Sequence, residues 1–104
     1  LNGVASHVVE FDDIHRDSGH HPGGPTIAAA LAMAQAAGGD MDALLRAVTA
    51  GYEVGARIAM AVQPSHYRMW HTTGTVGTMG AAAAGAVILR LDAGRTAHAI
   101  ALAA

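Results

Sequence analysis

The stretch that decides the fold is T73-G-T-V-G-T-M-G-A-A-A-A-G-A-V-I-L-R-L91, which carries no charge before Arg90. Its alanines and leucines favour a helix, yet Gly74, Gly77 and Gly80 recur at every third residue. Each of these glycines costs a helix about 1 kcal/mol relative to alanine. We therefore predict a helix over residues 73–91 whose glycine side is approached closely by another helix or by a ligand.

A second helix is predicted over residues 26–37, ahead of this stretch. Its body, I-A-A-A-L-A-M-A-Q-A-A, consists almost entirely of strong helix formers and carries no charge. Thr26 is the expected N-cap, and Gly38-Gly39 is the expected stop. The lack of charge predicts a helix that is buried on most sides.

A third helix is predicted over residues 41–62, between the first two. Asp40 is suited to cap its first turn, and Pro64 prevents it from continuing far beyond residue 62. Glu53 and Arg57 stand four residues apart and are expected to pair on its exposed side.

The two ends of the chain also have helical patterns. Val4, Val8 and Phe11 fall at helical spacing, so residues 1–11 are interpreted as the end of a helix. A further helix is expected to start near Ala93. The pattern as a whole predicts an all-α, helical bundle-like fold in a single domain of residues 1–104. Because neither end shows a start or stop signal, we expect this chain to be part of a longer polypeptide.

Composition excludes several classes of protein. The six positive charges are scattered arginines, there is no lysine, and the net charge is -2, so a nucleic-acid-binding surface is not expected. The absence of cysteine excludes disulfides, thiolate catalysis and cysteine-ligated iron–sulfur clusters. The uncharged run over residues 72–89 is long enough to suggest a membrane span, but it is rich in alanine, glycine and threonine. A buried helix of a cytoplasmic protein is the preferred interpretation.

Polar chemistry is concentrated in H7-V-V-E-F-D-D-I-H-R-D-S-G-H-H-P22. This stretch holds four of the seven histidines and four of the eight acidic residues of the chain: His7, His15, His20, His21, Glu10, Asp12, Asp13 and Asp17. Carboxylates beside imidazoles can supply acids, bases and hydrogen-bond partners to a single site. Two alternatives are a solvated loop and a metal site, although no H-E-x-x-H signature is present.

A second polar loop, P64-S-H-Y-R-M-W-H-T72, precedes the glycine-rich helix. His71 is expected at the N-terminus of that helix, where free backbone N–H groups favour an anion. A carboxylate substrate could bind there, with His71 and the hydroxyls of Thr72 and Thr73 as donors. The alternative is that Thr73 only caps the helix and His71 is an ordinary surface residue.

Four blocks of the sequence together resemble the MmgE/PrpD family. They are N-G-V-A-S-H-V-V-E-F-D-D-I-H, H-P-G-G, A-G-Y-E-V-G-A-R-I and W-H-T-T-G-T-V-G-T-M-G-A-A-A-A, in that order. The resemblance implies the large all-helical domain of a two-domain enzyme whose second, α+β domain lies beyond residue 104. It also implies a homodimer that acts on a small di- or tricarboxylate without an iron–sulfur cluster or other cofactor.

The resemblance also implies a set of site residues. The first acid of the family motif D-F-D-D-T-H falls on Glu10, the family threonine is replaced by Ile14, and Asp13 matches an acid of the same motif. The histidine of H-P falls on His21, with His20 as an adjacent alternative, and the last block supplies His71.

The predicted catalytic residues are therefore Glu10, Asp13, His21 and His71, and the predicted substrate-binding residues are His20, Thr72 and Thr73. No metal ligand is assigned. The expected activity is that of a lyase, which dehydrates a 2-methylcitrate-like acid or decarboxylates a cis-aconitate-like acid. The alternatives are a non-catalytic helical packing module and a histidine–acid metal-binding domain.

Overall fold

The computed structural model describes all residues from Leu1 to Ala104 and contains five α-helices and no β-strand. The expected all-α fold is confirmed. Two short 3-10 turns, Arg16–Ser18 and His66–Arg68, lie in the loops. The helices are α1 (Asn2–His7), α2 (Gly23–Ala37), α3 (Met41–Val62), α4 (Thr72–Ile88) and α5 (Ala93–Leu102).

The predicted C-terminus of α2, both ends of α3 and the start of α5 are confirmed, and local capping sets most of them. The Asp40 carboxylate accepts a hydrogen bond from the backbone N–H of Ala43 at 2.8 Å, and Asp92 does the same for Arg95 at the start of α5. Gly38 ends α2 in the left-handed conformation with φ of 70°. Arg57 donates to Glu53 on the exposed side of α3, as the spacing predicts.

Four predicted boundaries were wrong. Helix α1 ends at His7 rather than near residue 11, and Val4, Val8 and Phe11 are exposed rather than buried along one face. The backbone N–H of Glu10 bonds to the carbonyl of His7, and Glu10 adopts a left-handed φ of 48°, which turns the chain away from the helix axis. The other three errors concern the N-terminus of α2 and both ends of α4.

Helix α2 begins at Gly23, so Thr26 is a buried residue inside the helix and not its N-cap. The backbone N–H of Gly23 instead donates to the carboxylate of Asp13 at 3.1 Å. Helix α4 begins at Thr72 with His71 as its N-cap residue, and it ends at Ile88. At the start of α2, the backbone N–H of Gly23 is therefore satisfied by the side chain of Asp13, ten residues earlier in the sequence.

Helix α4 is the central element, since it packs against α2, α3 and α5. The closest approach is between Gly51 of α3 and Gly80 of α4. A methyl group built on Gly51 would lie 2.7 Å from the Gly80 carbonyl oxygen, and closer still to the Thr26 methyl group. The glycine-rich side of α4 therefore does receive another helix. One cluster of the hydrophobic core is formed by Ala30, Ala34, Ala47, Ala84 and Ile88.

None of the five helices combines the length and hydropathy that crossing a bilayer requires. Several large apolar side chains remain exposed, most of them between Leu1 and Ile14 or near Trp70.

Candidate functional site

The loop between α1 and α2 is folded back so that it contacts the N-terminus of α4. The backbone N–H of His15 bonds to the carbonyl of His20 at 3.0 Å, and Gly19 turns the chain with φ of 61°. Beyond this turn, the backbone N–H of His21 donates to the Thr73 hydroxyl at 3.0 Å. This bond joins positions separated by 52 residues and places His21 beside the first turn of α4.

Three histidines and one carboxylate meet at this point, and we call His7, Asp12, His21 and His71 the histidine cluster. His7 Nδ1 lies 3.0 Å and 2.9 Å from the two carboxylate oxygens of Asp12. His21 Nδ1 lies 3.6 Å from Asp12 Oδ1. The His7 ring centroid lies 5.0 Å from that of His21 and 6.5 Å from that of His71, with which it is nearly parallel.

The charge of Asp12 is stabilised by this arrangement. Burial by itself would raise the pKa of Asp12, but the hydrogen bond from His7, a backbone hydrogen bond and the nearby His7 and His21 rings together lower that pKa below 3.8. Asp12 is therefore an anion at neutral pH. The Asp12 carboxylate can only accept, so His7 Nδ1 carries the N–H of this hydrogen bond. In a neutral His7 ring, Nε2 is then the nitrogen with the free lone pair.

A cleft of about 540 Å³ opens next to the histidine cluster. It lies between α1 and the first turns of α2 and α4, and its lining includes His7, Pro25, Thr73 and Gly74. Glycine and alanine supply much of the remaining wall. The N-terminus of α4 thus faces a space in which a small anion could meet the His7 imidazole and helix N–H groups.

A second polar cluster, formed by His15, Ser18 and His20, is separate from this cleft. The Ser18 hydroxyl lies 2.8 Å from His15 Nδ1 and 2.7 Å from His20 Nδ1, and both Ser18 and His20 are buried. The Gln63 amide donates to the Ser18 carbonyl at 3.1 Å and to the Thr72 hydroxyl at 3.0 Å. Burial, with the neighbouring His15, lowers the pKa of His20 below 6.5, so this ring is neutral inside the protein.

The structure brings together only some of the residues predicted from the sequence. His21, His71 and Thr73 lie at the histidine cluster. Glu10 is exposed, and its side chain makes no hydrogen bond or ion pair. The remaining three predicted residues, Asp13, His20 and Thr72, have partners elsewhere in the fold.

His20 and Thr72 belong to the polar cluster around Ser18 and Gln63. Asp13 accepts the Gly23 N–H and lies beside the phenol of Tyr52. Burial of this phenol and the Asp13 carboxylate next to it raise the pKa of Tyr52 to about 12, so Tyr52 is a neutral hydrogen-bond donor. The arrangement suits the support of α2 more than contact with a ligand in the cleft.

Two members of the histidine cluster, His7 and Asp12, were not among the predicted site residues. The sequence did point to the region that contains both, because histidines and acidic residues are concentrated between residues 7 and 22. Their pairing depends on the turn at Glu10, because an uninterrupted helix would carry Asp12 away from His7.

A family model described as the MmgE/PrpD N-terminal domain matches residues 1–104. Neither the comparison with curated proteins nor the comparison with solved structures gives a match.

Proposed function

The chain belongs to the MmgE/PrpD family, and from this premise we propose that it forms part of a lyase acting on a small di- or tricarboxylate. The reaction is the dehydration of a 2-methylcitrate-like acid or the decarboxylation of a cis-aconitate-like acid. In this proposal a second domain and a second copy of the chain complete the enzyme. The observation that carries the proposal is the meeting of His7 and His21 at Asp12, with the His71 ring beside that of His7, next to an open cleft.

Dehydration requires a base for a carbon-bound proton and an acid for the departing hydroxyl. One ring nitrogen takes the proton from the carbon next to a carboxylate, and the C–H electron pair becomes the new C=C bond. The hydroxyl on the neighbouring carbon leaves as water after it receives a proton from a second ring. A cluster of neighbouring imidazoles can supply both groups, because one ring nitrogen can accept a proton while another donates one.

Asp12 positions the imidazoles of the histidine cluster. Its carboxylate holds His7 through Nδ1 and stabilises positive charge on His7 or His21 during proton transfer. Asp12 therefore takes the supporting role that the sequence had suggested for Glu10 and Asp13.

The first turn of α4 supplies the complementary site for a substrate carboxylate. Helix α4 spans Thr72–Ile88, and its N-terminal N–H groups and dipole favour a negative charge. Thr73 lines the cleft, and His71 precedes the helix directly. A polycarboxylate held there by one carboxylate would bring its adjacent carbon within reach of the rings.

The direct test compares His21→Ala and His71→Ala with His98→Ala in the full-length protein. His98 lies on the exposed side of α5 and makes no side-chain hydrogen bond or ion pair, which makes it a matched control. Loss of a general acid or base typically lowers turnover about 10²–10⁴-fold. We expect this loss in kcat for H21A and H71A with 2-methylcitrate or cis-aconitate, and no change for H98A. Near wild-type turnover in both cluster variants would remove the histidines from the reaction.

A second candidate function is a non-catalytic helical module that packs against another protein surface. It is favoured by the exposure of large apolar side chains, with Phe11 95% and Trp70 62% exposed. The two functions differ in a thermal-shift titration with citrate-like acids. A ligand at 100 times its Kd stabilises a protein by about 2.7 kcal/mol, so a saturable shift that is lost in H71A supports the enzyme. No shift at any concentration supports the packing module.

A further inference from the structure

We propose that His7, Asp12 and His21 also form a binding site for a divalent transition metal ion, best suited to Zn²⁺, and that the bound ion is a reversible inhibitor. The metal site stands on the geometry of these three residues. The inhibitory effect rests on the proposed function, because the ion would immobilise two imidazoles of the histidine cluster and compensate the Asp12 charge that supports their proton transfer.

The donor atoms of the three residues already have nearly the spacing of a metal site. One ligand atom from each lies within 4.8 Å of the other two. The same oxygen, Asp12 Oδ1, lies 3.0 Å from His7 Nδ1 and 3.6 Å from His21 Nδ1. Tetrahedral zinc with bonds of about 2.0–2.1 Å needs donors about 3.3 Å apart, which lies between these two values.

An independent observation also points to a ligand at this position. His21 Nδ1 is a buried atom without a hydrogen-bond partner, and Asp12 Oδ1 lies 3.6 Å from it. Buried ring nitrogens are normally satisfied, and an ion between His21 and Asp12 would satisfy this one. All three side chains remain partly accessible, so an ion can enter without unfolding of the loop.

The chemistry of the donor set narrows the choice of ion. Two imidazoles and one carboxylate suit zinc, cobalt, iron, manganese and copper, and they suit calcium and magnesium poorly. Three protein ligands leave at least one coordination position for water. Binding displaces the proton between His7 Nδ1 and Asp12, and that proton moves to His7 Nε2 or leaves to solvent. The Nδ1 lone pairs of His7 and His21 then form the bonds to the metal and can no longer accept a proton.

The test uses Co²⁺ as a spectroscopic probe in tag-free, full-length protein. We expect the visible absorption of tetrahedral or five-coordinate cobalt at one equivalent, and its loss when Zn²⁺ is added. Asp12→Asn and His7→Gln should weaken the affinity roughly tenfold or more, whereas His98→Ala should leave it unchanged. No visible band in the wild type, or an equal affinity in D12N, H7Q and wild type, overturns the metal site. Circular dichroism of each variant shows whether weaker cobalt binding comes from the missing metal-ligating side chain or from unfolding.

Kinetics test the inhibitory effect separately. With an active preparation, Zn²⁺ should lower turnover over the same concentration range in which it displaces cobalt, and a chelator should restore it. Full turnover with the site occupied by zinc overturns the inhibition and leaves the metal site intact. A protein that binds cobalt as expected but turns over no polycarboxylate counts against the proposed function and not against the metal site.

Discussion

Replacement of Gly51 by alanine tests the contact that holds α3 against α4. The new methyl group would lie 2.7 Å from the Gly80 carbonyl oxygen and would overlap the Thr26 methyl group. Neither neighbour is the end of a long flexible side chain, so the two helices have to move apart. We expect this displacement to loosen the packing of α4 and, with it, the position of Thr73 and His21.

The size of the effect follows from two opposing contributions. Overpacking of a closely packed core costs about 1–3 kcal/mol. Alanine is more favourable than glycine in a helix by about 1 kcal/mol, which offsets part of this cost. Because the clash is with backbone as well as side chain, we expect the upper part of the range and a net destabilisation of about 1–2 kcal/mol.

Gly85→Ala in α4 is the matched control. A methyl group on Gly85 would have only the Met33 side chain nearby, at 3.8 Å, which is ordinary contact. This variant should gain helix propensity and become more stable by up to about 1 kcal/mol.

The assay is urea denaturation of the wild type, G51A and G85A followed by circular dichroism at 222 nm. The reasoning predicts midpoints that shift in opposite directions, lower for G51A and higher for G85A. If G51A is as stable as G85A, the two helices are not in the close contact described, and the role assigned to the glycines of α4 is wrong.

Four further outcomes are expected. Ser18→Ala leaves the buried His20 Nδ1 without its partner at 2.7 Å and should cost about 1–3 kcal/mol in the same denaturation assay. Acid should destabilise the protein below pH 6.5, because the His20 ring takes up a proton near that pH in the unfolded chain, whereas burial lowers its pKa in the folded protein. In His20→Gln, Tm should therefore depend less on pH in this range. Glu10→Gly should raise stability by about 1 kcal/mol by relieving the left-handed φ of 48°. Turnover should be retained, because the exposed Glu10 side chain makes no hydrogen bond or ion pair, and lost turnover would return Glu10 to the site. Asp40→Ala should cost about 1 kcal/mol because α3 loses its cap at Ala43, and an unchanged midpoint would contradict that role.

The helices themselves were largely determined by local sequence. Residues 41–62 form α3 with the predicted bounds, because Asp40 caps its start and Pro64 excludes continuation. Gly38 ends α2 because glycine adopts the left-handed conformation without strain. The spacing of Gly74, Gly77 and Gly80 predicted a close approach to α4, since glycine in a helix is costly unless something replaces its missing contacts. These features depend on neighbours within a few residues, so the sequence alone could determine them.

The composition of the site depended on contacts that no local pattern contains. Asp12 and not Glu10 meets His7, because the turn at Glu10 reverses the chain after α1. The N-terminus of α2 lies at Gly23 because its N–H is satisfied by Asp13 from the loop.

His20 and His21 are adjacent and chemically identical in sequence, yet one is buried against Ser18 and the other reaches Thr73 through its backbone and Asp12 through its ring. Successive residues of extended chain point in opposite directions, so a difference of one position sends one imidazole into the interior and the other towards Asp12 and His7. The sequence thus determined which residue types were available for the site. Only the packing of the loop against α2 and α4 decided which of them meet, because that packing joins positions as far apart as 52 residues.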